Sequence, residues 1–390
     1  MVTRLPEGIW NSRQDLTALI TALGNENARF VGGMVRDALL GVAAKDIDIA
    51  TPLLPEEVKD RLHKAAIKAI PTGIEHGTIT AVLPGGNVEI TTLRRDVSTD
   101  GRRATVAFSH DWREDAARRD FTINALYADP VSLEVHDYFG GLDDLAARRV
   151  RFIGDARQRI REDHLRILRY FRFQARFGGQ APDADSENAC AELAATLKGL
   201  SRERVGMEMM NLLALPDPAP TVARMAELGV LAVILPEANP ASLTALVAEE
   251  AAQGVAADPL RRLAALLPAD PALAEQVASR FRLSGAQKKR LVTAAGRIQS
   301  ADGDAYALAY RLGFESARDC LLLNGRSSAP LRDWQVPTFP LKGGAIVARG
   351  ISAGPQVARI LQAVEARWVA EDFPDEARIN ALLEEELARP

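Results

Sequence analysis

Cysteine is nearly absent: only Cys190 and Cys320 occur in 390 residues, far apart and without CxxC spacing. That removes the usual redox and zinc motifs, and both are expected to be buried thiols in a reducing cytoplasm. Histidine is scarce as well. His63, His76, His110, His136 and His164 all precede residue 165, so the C-terminal half has none from which to build an HD-type metal centre. His110-Asp111 is an HD dipeptide without partners. No apolar run approaches the ~18 residues of a membrane helix, so no membrane association is expected. The opening MVTRLPEGIWNSRQD has no apolar core of the kind a secretory signal needs. Aromatics make up only 5% of the chain, which leaves Leu, Ala, Val and Ile to fill the core.

What is present is ordinary globular composition, 47% hydrophobic and 26% charged, at a length that predicts two or three domains. The net charge of -4 argues against a generally basic, nucleic-acid-binding surface. The average conceals a local bias. Between Arg148 and Arg176 lie ten arginines, three acids (Asp155, Glu162, Asp163) and no lysine. A solvated helix face is one account of such a stripe. A phosphate-facing surface is the other, since arginine forks suit phosphate and base edges.

Pattern divides the chain into two styles. Residues 12–23 read as a helix capped by Ser12 and stopped at Gly24; ARFVGG as a strand into a turn; MVRDALL as a short helix; DIDIA as a strand. PEEVKDRLHKAAIKA reads as an amphipathic helix opening with Pro55. TITAVL and VEITTLR flank a Gly/Pro/Asn turn, a hairpin signal. VSTDGRRATVAFSHDW lacks periodicity and is expected to be a loop, and INALYAD and LEVHDYF to be strands. From about residue 145 every segment is helical by pattern (155–176, 187–198, 202–214, 219–229 and on), so separate domains are expected. We place a head at 1–145, a helical neck at 146–240 and an all-helical body at 241–390.

The stretch FVGGMVRDALLGVAAKDIDIAT carries the chemistry. On a strand, residues i and i+2 share a face, so Asp46 and Asp48 project together while Ile47 and Ile49 turn inward. Two carboxylates on one face repel unless a cation lies between them, and Mg²⁺ prefers carboxylate oxygens completed by water and phosphate. The two-metal arrangement of phosphoryl transfer follows from this chemistry. A DxD triplet is by itself also compatible with a turn or a helix cap. Gly32-Gly33, between a strand and a helix, offers backbone amides to an anion, and Arg36, one helical turn on, is expected to reach the same phosphates of the nucleotide. Glu89, on VEITTLR, is a third candidate acid. Together these describe a nucleotidyl-transfer site.

The same residues resemble the signature GGxVRDxLLGxxxxDxDIAT of the tRNA nucleotidyltransferase/poly(A) polymerase family, in its bacterial class II branch within the polymerase-β-like superfamily. Further segments are similar in the same order: PTGIEHGTIT (71–80), RRDFTINALYAD (118–129), REDHLRILRYFRF (161–173) and LSRERVGMEMMNLL (200–213). The resemblance implies an α/β polymerase-β-like nucleotidyltransferase head followed by an all-α body. It implies that Arg119 contacts the nucleotide and that Asp120 and Asn124 surround the ribose. It also implies that 200–213 props the base-reading helix, and that tRNA, CTP and ATP are the substrates, with no obligate protein partner.

Asp163, Arg166, Arg169 and Arg172 recur at i, i+3, i+6 and i+9, which predicts one slowly drifting helical face. Cytosine and adenine each present an exocyclic amine beside a ring-nitrogen acceptor. Asp163 can accept from the amine while Arg166 donates to the ring nitrogen; uracil and guanine mismatch both contacts. Arg169 and Arg172 are expected to face phosphate or to support that pair. The implied reaction is attack by a tRNA 3′-hydroxyl on the α-phosphate of CTP or ATP, with release of pyrophosphate. For the tRNA grip the stripe, Arg202, Arg204 and Lys288–Arg290 are candidates. Two departures bear on the rivals. The loop before the RRDFTIN segment has no tyrosine, and the GRRF-type element of the poly(A) polymerase branch is missing, GRRA being a poor substitute. A poly(A) polymerase and a non-catalytic RNA-binding relative are the alternatives; the intact acids argue against the second.

Overall fold

The computed structural model describes residues 2–42, 46–100, 103–297 and 304–389. It divides into two compact units, Met1–Glu208 with Arg224–Ile234, and Met209–Ala223 with Leu235–Pro390. The first unit is built on nine strands: β1 (Arg29–Val31), β2 (Ile47–Thr51), β3 (Lys68–Gly73), β4 (Thr78–Val82), β5 (Val88–Thr92), β6 (Arg94–Asp100), β7 (Arg103–Phe108), β8 (Leu126–Ala128) and β9 (Val135–Asp137). Seven of them form one mixed sheet in the order β3-β4-β5-β2-β1-β8-β9. Among the described residues only the β2–β5 pair of this sheet is parallel.

Alternation decides how β2 sits. Ile47 and Ile49 are buried while Asp46 is exposed and Asp48 half-buried. Val31, Ala50, Leu93, Ala116, Ala125, Tyr127 and Ile153 pack into one core cluster against the sheet. A second, aromatic group gathers Phe121, Phe152, Tyr170 and Phe173, with ring centroids 5.0 to 6.4 Å apart. Such pairs each contribute about 0.5–1.5 kcal/mol beyond area burial, and here they fix the RRDFTIN segment against the helix Arg166–Phe177.

Four local expectations need correction. The first helix is Gln14–Leu23 with Arg13 rather than Ser12 at its N-cap; Ser12 closes a short preceding turn, Ile9–Ser12. The helix opening at Pro55 ends at Lys64, where Ala66 turns left-handed (φ 57°), and residues 68–73 are strand β3. The aperiodic 94–108 segment is a two-stranded hairpin, β6 with β7; its Gly101-Arg102, part of GRRA, lies outside the described residues. The expected helix 155–176 is two helices, Ala156–Glu162 and Arg166–Phe177.

Every regular element among the second unit's described residues is a helix. Its centre is ionic as well as apolar. Arg261, fully buried, donates to Glu250 at 2.7 Å and to Asp319 at 3.3 Å. Arg262 holds the other oxygen of Glu250, and Arg290 grips Asp319 at 2.7 and 3.0 Å. Further along, Ile346, Ile360, Val364, Trp368, Leu382 and Leu383 form a separate apolar cluster.

Candidate active site

The glycine turn opens the site. Gly32 has φ 71°, a left-handed conformation that suits glycine, and a Cβ there would lie 3.2 Å from Arg119 Nη1. The turn leads from β1 into the helix Gly33–Leu39. Beyond it, the register of β2 and β5 places Asp48 directly opposite Glu89. Glu89 therefore joins the acid pair through sheet pairing, a proximity the sequence could only suggest. Burial, then the charges of Glu89 and Asp46, push the Asp48 carboxyl up to about 6, and Arg119 opposes them. Among the described residues no three His, Cys, Asp or Glu side chains converge tightly enough to hold a metal ion by themselves.

Arg36 is 5% exposed and already engaged. Its Nε and Nη2 donate to Asp37 at 2.8 and 2.6 Å, its Nη1 donates to Asn124 Oδ1, and its guanidinium stacks 4.0 Å from the Phe177 ring centroid. Asn124 in turn donates to Asp120 Oδ1 at 3.0 Å, and Asp120 Oδ2 accepts from Arg169 Nε at 2.8 Å. Burial raises the Asp120 carboxyl, but Arg169 and Asn124 more than offset it and hold it below its ordinary value. Arg36, Asn124, Asp120 and Arg169 thus form one hydrogen-bonded chain from the glycine-turn helix to the helix Arg166–Phe177.

Asp163 does not share a helical face with Arg166. It stands between the two helices in extended backbone (φ -151°, ψ 105°), and its Oδ1 accepts from Leu165 N at 3.1 Å. The short polar side chain competes for that backbone amide, so the helix breaks there. Asp163 Oδ2 accepts from Arg204 Nη2 at 2.7 Å. Arg166 Nη1 donates to Glu162 at 2.6 Å and to the Arg159 carbonyl at 2.7 Å. Each proposed base reader therefore has an oppositely charged neighbour that orients it. Arg172 grips the buried Glu208 at 2.6 Å, which ties the helix Arg166–Phe177 to the helix Arg202–Leu213.

Compared with known proteins, the chain matches the Poly A polymerase head domain over residues 28–151. It also matches the family described as "Probable RNA and SrmB- binding site of polymerase A" over 181–242. It is 36% identical to the mitochondrial CCA tRNA nucleotidyltransferase 1 of Mus musculus, covering 91% of this chain and 85% of that protein. The chain belongs to the tRNA nucleotidyltransferase/poly(A) polymerase family. Another relative, the CCA-adding enzyme of Leuconostoc mesenteroides subsp. mesenteroides, is 43% identical over 54% of this chain and 51% of its own length. The solved structure of the Bacillus stearothermophilus CCA-adding enzyme in complex with CTP superposes with a TM-score of 0.76 at 28% identity, covering 96% of this chain and 98% of that one. The nucleotidyltransferase head and helical body expected from the sequence are those of this family.

Within this nucleotidyltransferase the arginine stripe is largely neutralised from inside. Arg149 and Arg151 both bind the buried Asp144, and Arg157 binds Asp185 and Glu192. Arg159 and Arg166 share Glu162, and Arg176 reaches Asp37 at 3.3 Å. Lys288 meets Glu275, and Arg290 meets Asp258 and Asp319. Sequence spacing showed the basic residues but not which acid each one meets; Asp144 and Glu162 lie close in sequence to their arginines, whereas Asp37, Asp185 and Glu192 come from distant segments. It also gave no role to Asp115, Tyr127, Glu162 and Glu208, because no local pattern shows which arginine an acid or a phenol serves.

Proposed function

We propose that this nucleotidyltransferase adds C, C and A to the tRNA 3′ end from CTP and ATP without a nucleic-acid template, releasing pyrophosphate. The observation that carries the reading is the β2–β5 register, which sets Asp48 beside Glu89, with Arg119 near the Gly32 turn and its charge acting on Asp48. Residues 1–145 act as the catalytic head, 146–240 as the base-reading neck and 241–390 as the body, with the cytoplasm as the working compartment. Cys190, a buried free thiol, supports that placement.

The donor set fits hard divalent ions. Asp48 is held up by burial and then by the charges of Glu89 and Asp46; a cation relieves that repulsion, and Mg²⁺ is the ion whose preference for carboxylate plus phosphate matches. Asp46 and Asp48 would hold it, with Glu89 as the third acid; when bound, a two-metal centre supplies charge neutralisation and activates the attacking 3′-hydroxyl. The chain's own residues do the positioning. The Gly32–Gly33 turn and Arg119 receive the triphosphate, and Asp120 and Asn124 hold the ribose, with Arg36 and Arg169 bracing them. Asp163 accepts from the exocyclic amine of C or A while Arg166 donates to the ring nitrogen. Arg172 secures the base-reading helix through Glu208.

Incubation with tRNA ending before CCA, Mg²⁺ and each nucleotide separately and together tests this. CTP incorporation followed by one A, with arrest after three nucleotides, is expected. ATP-only tailing without arrest would assign the protein to the poly(A) polymerase side instead. Asp46→Ala is expected to reduce incorporation by at least about 10³-fold with tRNA binding intact; retained activity would remove the metal assignment.

A further inference from the structure

Asp115 lies outside every motif singled out in the sequence, yet it is 1% exposed and divides its two oxygens among four donors. Oδ1 accepts from the Arg94 amide at 3.2 Å and from Arg118 Nε at 2.9 Å. Oδ2 accepts from the Tyr127 hydroxyl at 2.6 Å and from Arg119 Nη2 at 3.1 Å. Arg119 is held from its other side too, Nε donating to the Tyr127 oxygen at 3.1 Å. Asp115, Tyr127 and Arg119 thus close a triangle in which the phenol donates to the acid and accepts from the arginine. A neutral phenol is the form able to do both, and burial holds its pKa well above the ordinary range. With Nε and Nη2 both engaged, the guanidinium plane is fixed. The remaining nitrogen, Nη1, lies 3.2 Å from the point where a Cβ on Gly32 would sit.

We propose that Asp115 is a positioning residue for nucleotide binding, which through the Tyr127 triangle aims Arg119 Nη1 at the triphosphate held over the Gly32 turn. The proposal rests on Arg119 as a triphosphate contact, the reading given above. It assigns Asp115 an effect on the part shared by CTP and ATP and none on the choice of base. The same carboxylate also fastens the first residue of β6, so the hairpin root and the nucleotide-facing arginine depend on one side chain.

The test uses the full chain with Asp115→Asn, Tyr127→Phe and Arg119→Lys, and each of the first two combined with Arg119→Lys. KM and kcat are measured for CTP and ATP on tRNA ending before CCA, with thermal melts alongside. Asp115→Asn is expected to raise KM for both nucleotides by roughly 10- to 30-fold, as loss of a charge-assisted hydrogen bond implies. Discrimination between CTP and UTP should not change. In the Arg119→Lys background the same substitution should add less than about twofold, because its route to the nucleotide is already cut. An equal fold-effect in both backgrounds, or a lowered melting temperature with KM unchanged, would reduce Asp115 to a packing residue and overturn the proposal. If Asp115→Asn does not fold, Tyr127→Phe carries the test, with a KM rise of about three- to fivefold that vanishes in the Arg119→Lys background. Should Arg119→Lys alone leave KM unaltered, the triphosphate contact beneath the proposal is wrong and Asp115 has nothing to aim.

Discussion

Asp48 and Asp115 are carboxylates removed from water to different ends. Around Asp48 the neighbours are acids, so burial and repulsion act together and its carboxyl rises to about 6. Around Asp115, burial alone would raise the carboxyl, but Arg119, Arg118 and the Tyr127 hydroxyl reverse that and bring it to about 2, below its ordinary 3.8. The first arrangement disfavours the charged carboxylate; the second favours it over the ordinary pH range. A depressed folded-state pKa contributes stability that is present above the unfolded value and lost as pH falls through the folded one. For Asp115 that window runs from about pH 4.5 down to about pH 2, and the linked stability is roughly 2 kcal/mol. The unfolding free energy of the parent should therefore approach that of Asp115→Asn by about that amount as pH is lowered from 5 toward 2.5. Denaturant titrations across that range would check it, and a constant gap would mean that the acid is not ionised by its neighbours.

The elements proposed to read the base are held by contacts between segments. Helix propensity favours one continuous helix across 155–176, yet the chain breaks at Asp163, and the break turns its carboxylate toward Arg204 on the helix Arg202–Leu213. Arg204→Ala should leave Asp163 untethered. Incorporation of UTP relative to CTP is expected to rise by about tenfold, and kcat/KM for CTP to fall by a similar factor. Competition assays with mixed nucleotides would read this; unchanged discrimination would mean that Asp163 is oriented by its own backbone contact to Leu165. The aperiodic hairpin β6–β7 shows the same limit from the other side. Its sequence has no alternation because neither strand belongs to the main sheet, and the two pair only with each other.

Over its full length the protein uses arginine more for construction than for exposed charge. The second unit makes this plainest, where Glu250, Arg261, Arg262, Arg290 and Asp319 form a buried ionic network. Removing one partner from such a network strands the others without solvent. Asp319→Ala should cost about 3 kcal/mol or more, seen as a lower midpoint in denaturant or heat. A change within about 0.5 kcal/mol would show that water reaches Arg261 and Arg290 once the carboxylate is gone. The arginine stripe follows the same rule. Its composition suggested a surface for phosphate, and its geometry assigns most of those guanidinium groups to acids within the first unit.

The order of amino acids was sufficient for the glycine turn, for Asp48 on β2, for the hairpin β4–β5 and for the division into a mixed head and helical remainder, whereas Asp46 stands just before the strand. Each is written in local periodicity or in a residue whose backbone freedom is special, and those signals act over a few positions. It was not sufficient for the partners of the charges. Arg204 and Asp163 are 41 residues apart, Arg169 and Asp120 are 49, and Arg176 and Asp37 are 139. Periodicity tells which way a side chain points along its own element. What stands opposite is decided when elements pack, because only then do desolvated charges find the one arrangement in which all are paired.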